Sequence, residues 1–154
     1  MGLVVDKKKT LSNGRQEPDV EIVSFSKIQY MKIPAHYNRL MPYIIIPNAY
    51  KFIAFMKNIF GATEQVIVPR GEGVIMHGEL RIAEAVIMFA DTTDQITARP
   101  AGIFIYVENT DETYKKAMDA GSVSLMKPTQ QPYGYTCGFH DPFGNDWWPV
   151  QAEK

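Results

Sequence analysis

Apolar and polar positions change rhythm along this chain and divide it into elements. Tyr43–Ile46 is a short apolar run closed by Pro47-Asn48, which predicts a buried strand ending in a turn. Phe52, Phe55, Met56 and Ile59 then recur at i, i+3, i+4 and i+7, one face of a helix. Asn48 is placed to cap that helix with its side chain, and Gly61 to end it in the left-handed conformation. Three strands are predicted next. Thr63–Val68 is rich in β-branched residues and stops at Pro69, with Gly71 and Gly73 marking a turn. Val74–Ile82 alternates, placing Val74, Met76, Leu80 and Ile82 on an apolar face and Ile75, His77, Glu79 and Arg81 on the other. Ala85–Ala90 is apolar throughout and ends at Asp91-Thr92-Thr93.

The same succession then begins again. Gly102–Val107 reads as a strand, and Asn109-Thr110-Asp111-Glu112 caps and charges a helix start. Tyr114, Ala117 and Met118 form that helix's inward stripe, Gly121 ends it, and Ser122–Met126, Thr136–Phe139 and Asp146–Val150 follow as strands. Aligning Ile46 with Val107 and Gly61 with Gly121 gives two copies of a βαβββ unit roughly 60 residues apart. The predicted fold is therefore α+β, with tandem modules over about 41–93 and 101–151. One such module leaves a sheet face uncovered. Two can place their helices outside and curl the sheets around a central cavity. Residues 1–32 form an N-terminal extension that is polar to about residue 19, and 20–33 are expected to supply an added edge strand or a dimer contact.

Composition narrows the class. Lys plus Arg (16) nearly balances Asp plus Glu (17), and no basic run extends beyond Lys7–Lys9. Nucleic-acid binding draws most of its affinity from clustered positive charge, so no nucleic-acid partner is expected. No apolar run reaches the roughly 20 residues of a membrane span, and no signal peptide is seen. The single cysteine, Cys137, has no internal partner, and the expected location is cytoplasmic.

Several local strings, in order, resemble the PhnB-like branch of the glyoxalase/bleomycin-resistance/dioxygenase (vicinal oxygen chelate) superfamily. They are Ile33-Pro34-Ala35, Pro42-Tyr43-Ile44-Ile45, Ile59-Phe60-Gly61-Ala62-Thr63, Met76-His77-Gly78-Glu79-Leu80 and Asp141-Pro142-Phe143-Gly144-Asn145. The resemblance spans about residues 33–150 and implies the glyoxalase-like fold and a homodimer. It also implies four metal-ligand positions, which fall near Met41, Met88, Gly102 and Trp148. None of these is a ligand for a hard divalent ion, and their neighbours are no better. The expectation is no metal and no cofactor. Tyr135 and Thr136 stand where relatives carry an Asp-Arg pair, so a shared ligand is not implied.

The remaining candidates come from the residues themselves. His77 and Glu79 share a strand face with Arg81, and an imidazole beside a carboxylate has the makings of a general base. Residues i and i+2 on a strand stand about 6–7 Å apart, so a direct bond between them is not assured, and a structural polar ladder is the alternative. Met41, Tyr43, Met88, Phe104, Tyr106, Tyr135 and Trp148 are expected to line an apolar pocket with Arg81, or to fill a core. Three functions stay open. One is a binder of a small, partly apolar molecule. Another is a metal-free or displaced-metal enzyme using His77 and Glu79, and the third a structural or partner-binding protein with a filled cavity.

Overall fold

The structure is a computed structural model that describes residues 32–151, and the segment 20–33, expected to supply an added edge strand or a dimer contact, lies almost wholly outside the described residues. In chain order the elements are β1 (Tyr43–Ile46), α1 (Ala49–Phe60), β2 (Thr63–Gly71), β3 (Val74–Ile82), β4 (Ala85–Asp91), β5 (Gly102–Val107), α2 (Thr110–Asp119), β6 (Val123–Gln131), β7 (Gly134–His140) and β8 (Asp146–Gln151). They form two four-stranded sheets, ordered β1-β4-β3-β2 and β5-β8-β7-β6. In each, the first strand runs parallel to its neighbour and the remaining pairs are antiparallel. The duplicated βαβββ plan is the observed one.

The periodicity of α1 decides where the core lies. Phe52, Phe55, Met56 and Ile59 are all buried. The Phe52 ring meets Phe89 of its own sheet and Phe143 of the second module, both with centroids 5.4 Å away. Phe60 lies 4.7 Å from the Trp147 ring and 6.5 Å from that of Phe139. Each such aromatic contact adds about 0.5–1.5 kcal/mol beyond burial. The helix therefore packs between the two modules. An apolar stripe wide enough to touch both sheets buries more surface there than one covering a single sheet. As a result each sheet has one face on the shared core and, among the described residues, one face open.

Three local features differ from the sequence expectation. Asn48 precedes α1 in the left-handed region (φ 57°, ψ 53°) and makes no side-chain cap. The cap comes from Asp91 at the end of β4, whose Oδ1 accepts the Ala49 amide at 2.9 Å and whose Oδ2 accepts the Ile75 amide at 2.7 Å. Ile75 is fully buried while Met76 is exposed, so the apolar face assigned to β3 breaks at this end. The β2–β3 register slips between Val68 and Pro69 and again before Gly71, which permits that change of face. Finally, β2 runs through Pro69 and β6 through Pro128, where the strands were expected to stop sooner. Both are edge strands, and β6 also slips register between Met126 and Thr129, so the missing proline N–H disrupts no ladder that must continue outward.

Candidate functional site

The open face of the first sheet carries a continuous polar strip. His77, Glu79 and Arg81 point to this face from β3, with Met88 paired to Glu79 and Tyr43 paired to Met88. Glu79 is the hub, with only 4% of its surface exposed. Its Oε1 lies 3.0 Å from His77 Nε2, its Oε2 accepts Gln65 Nε2 at 2.8 Å, and the Tyr37 hydroxyl reaches both oxygens at 3.1 and 2.9 Å. Strand twist and side-chain lean thus close the gap that ideal i, i+2 spacing leaves open. Burial pushes the Glu79 carboxyl up, but hydrogen bonds from His77, Gln65 and Tyr37 outweigh it and hold the group below its ordinary value. A carboxylate there only accepts, so the His77 proton sits on Nε2 and the other ring nitrogen of the neutral imidazole is an acceptor. Tyr43 stacks over that imidazole, with centroids 5.9 Å apart and planes 16° from parallel.

Arg81 fastens the strip to the segment before β1. Its Nε donates to Gln65 Oε1 at 3.1 Å, and a terminal nitrogen donates to the His36 carbonyl at 2.6 Å. Gln65 can serve both neighbours because it sits in the β2 irregularity between Glu64 and Val66, which turns its amide toward β3. Neither Tyr37 nor Gln65 was singled out from the sequence. A lone tyrosine in an irregular segment has no periodic signal, and a bulge is invisible until the partner strand is known.

The open face of the second sheet is aromatic. Phe104 on β5 pairs with Trp148 on β8, and Tyr106 meets Phe104 edge-on at 5.2 Å. Phe104, Tyr106 and Trp148 are 54%, 66% and 36% exposed, which is unusual for rings of this size and leaves a flat apolar surface open. Trp148 lies flat because β7 offers Gly138 beneath it: a Cβ there would stand 2.5 Å from the indole.

The eight residues expected to line one pocket are thus divided. Tyr43, Arg81 and Met88 belong to the first open face, with Met41 half-buried just before β1. Phe104, Tyr106 and Trp148 belong to the second. Tyr135 turns toward α2, where its hydroxyl donates to Asp111 at 3.1 Å. Cys137 is fully buried, and burial pushes its thiol up to about 12, so it is no nucleophile. Two surface grooves, of about 470 and 250 Å³, follow α1 beside Phe143 and the junction of Phe60 with Tyr106. Neither is lined by His77 or Glu79.

The positions that the resemblance assigns to a metal, Met41, Met88, Gly102 and Trp148, offer two thioethers, no side chain and an indole. That donor set does not fit a hard divalent ion. Among the described residues, no three His, Cys, Asp or Glu side chains gather as a group able to hold one. Also among the described residues, no helix is long and apolar enough to cross a membrane.

Comparison with known proteins returns a consistent answer. Residues 34–148 match the sequence pattern of the Glyoxalase/Bleomycin resistance protein/Dioxygenase superfamily. The uncharacterized protein Mb0911c of Mycobacterium bovis is 28% identical over 120 residues, covering 70% of this chain and 79% of that protein. Among solved structures, a PhnB protein from Bacillus cereus, a putative 3-demethylubiquinone-9 3-methyltransferase, superposes with a TM-score of 0.63 at 15% identity, over 75% of this chain and 100% of the other. TnmS3, an antibiotic-binding protein from Streptomyces sp. CB03234, gives 0.61 at 16% identity, over 80% and 100%. At such identities these structures share the fold.

Proposed function

This chain belongs to the Glyoxalase/Bleomycin resistance protein/Dioxygenase superfamily, and from that premise we propose that it binds a small, partly apolar molecule as a homodimer, without a metal ion. The observation that carries this reading is the exposure of Tyr43, Phe104, Tyr106 and Trp148 on sheet faces that no other element among the described residues covers. A second copy can bring its aromatic face opposite the polar strip of the first, and a cup lined on one side by rings and on the other by His77 and Tyr43 results. Such a cup has the apolar walls and few fixed polar groups typical of small-molecule sites. The description of TnmS3 as an antibiotic-binding protein supports the same kind of ligand.

The test is a melting-temperature screen across flat, partly apolar compounds, run beside sedimentation equilibrium. A ligand at a hundred times its Kd stabilises the native state by about 2.7 kcal/mol. For a chain of this length that raises Tm by roughly 5–10 °C. The rise should vanish in Trp148→Ala and Tyr43→Ala, and the protein should sediment as a dimer. No rise with any compound, with a monomer in solution, would favour a structural role. Zn²⁺, Ni²⁺, Mn²⁺ and Mg²⁺ should leave Tm unchanged; a metal-induced rise lost in His77→Ala would point to a relocated metal site.

One observation favours a second reading. His77 has its proton fixed by Glu79 at 3.0 Å, the arrangement that a general base needs. On that reading the protein is a metal-free enzyme, and any turnover found must fall by about 100-fold or more in His77→Ala. Turnover that survives the substitution removes the role.

A further inference from the structure

The polar strip of the first face has a counterpart on the second that the proposed function leaves unused. His140, the last residue of β7, pairs across the ladder with Asp146, the first residue of β8, and its Nδ1 lies 2.7 Å from Asp146 Oδ1. Both side chains are 45% exposed, so this pair is not a buried prop of the core. It stands on the open face. His140 and Gly138 are alternate residues of one strand, as are Asp146 and Trp148, and alternate residues share a face. The indole covers Gly138, which places the imidazole at the edge of the aromatic platform made by Phe104 and Trp148. Cross-strand neighbours on such a diagonal stand about 7–8 Å apart at Cα, within reach of a molecule lying on the rings.

The chemistry of the pair fixes what it offers. A carboxylate has no proton to give, so Nδ1 of His140 must be the donor in the 2.7 Å contact. In the neutral ring Nε2 is then a lone pair, and it is the nitrogen turned away from Asp146. His77 shows the same logic with the nitrogens exchanged, since Glu79 holds Nε2. Each open face therefore combines exposed aromatic surface with one imidazole whose tautomer a carboxylate sets.

We propose that His140, oriented by Asp146, is a hydrogen-bond acceptor site at the edge of the Phe104–Trp148 platform, and that the ligand is a planar aromatic molecule carrying a hydroxyl or N–H donor. The proposal rests on the reading of the open faces as a binding cup and adds the ligand's polar chemistry to it. An apolar ring stacks on the indole, and its donor meets Nε2. A ligand with only acceptors at that position faces a lone pair and is disfavoured.

The experiment uses the full chain with 1-naphthol and 1-methoxynaphthalene as probes, at a pH where the ring-nitrogen shifts show His140 to be neutral. They share the ring and its oxygen; methylation removes the donor and adds one methyl group, whose own effect the ratio in the His140→Phe variant measures. Binding is followed through the Trp148 indole signal in ¹⁵N-edited spectra, and the imidazole tautomers are read from ring-nitrogen shifts. We expect Nδ1–H at His140, and 1-naphthol binding about 3- to 10-fold tighter than its methyl ether, the scale of one neutral hydrogen bond. The ratio should fall to near one in His140→Phe and in Asp146→Asn, while both probes still shift Trp148. Equal binding to the unaltered protein, an Nε2–H tautomer, or a ratio that survives both substitutions overturns the proposal and leaves the cup standing. If neither probe moves the Trp148 signal, the aromatic face is not a binding surface, and the underlying reading falls with it.

Discussion

The hydroxyl of Tyr37 bridges both carboxylate oxygens of Glu79, at 3.1 and 2.9 Å, and so ties the segment before β1 to the middle of β3. Gln65 and His77 complete the set of groups around that carboxylate. Glu79→Ala should therefore leave several polar partners unsatisfied at once. The expected loss is about 2–3 kcal/mol, the range for hydrogen bonds to a charged group. In thermal unfolding this is a fall in Tm of roughly 5–10 °C. Tyr37→Phe should give a smaller fall in the same direction. An unchanged Tm in Glu79→Ala would mean that the strip contributes nothing to the fold.

The same carboxylate gives stability a pH dependence of known sign. Its folded value lies below the ordinary 4.5, because the hydrogen bonds from His77, Gln65 and Tyr37 exceed the upward push of burial. The contribution is full above the unfolded value and disappears as pH falls through the folded one. Urea unfolding between about pH 3 and pH 6 should show the native protein losing stability on acidification. Glu79→Gln should show a shallower acid limb, and identical limbs would contradict the assignment.

Helix α1 depends on a residue far from it in sequence. Asp91→Ala removes the acceptor for the Ala49 and Ile75 amides, both buried, and should cost about 2–4 kcal/mol. Asn48→Gly should be nearly neutral, within about 0.5 kcal/mol, because Asn48 caps nothing and its φ of 57° suits glycine. Chemical denaturation of the two variants checks the order. The reverse order would restore Asn48 as the cap.

Two glycines lie under aromatic rings, and their alanine variants should fail differently. At Gly78 an added methyl would fall within the ring of Phe89, which is fully buried and cannot move without repacking the core. Gly78→Ala should cost about 1–3 kcal/mol or more. At Gly138 it would meet Trp148, which is 36% exposed and free to lift away. Gly138→Ala should cost less, yet shift Trp148 fluorescence and weaken any ligand stacked on the platform. Equal stability losses would mean that the indole is as confined as the phenyl ring.

Much of this protein is legible from its chain alone. The 3.6 period of Phe52, Phe55, Met56 and Ile59 specifies a helix with one buried face, because only that period keeps the four side chains together. The cap at Asn109, whose Oδ1 accepts the Glu112 amide at 3.0 Å, is local and so legible in the sequence. The repeat of βαβββ is periodic in the same sense. What the sequence could not decide is whatever joins residues that are distant along it. Asn48 and Asn109 look alike as caps. Only the packing of β4 against α1 put Asp91 at the first of them, where Asn48 turns in the left-handed region without a side-chain cap. Whether the helix stripes face inward or outward depends on which surface the second module presents. That choice placed Tyr43 and Met88 on the first sheet's open face and Phe104 and Trp148 on the second's. The Glu79 hub and the His140–Asp146 pair arise from strand register, a long-range property fixed by the burial of both sheets together.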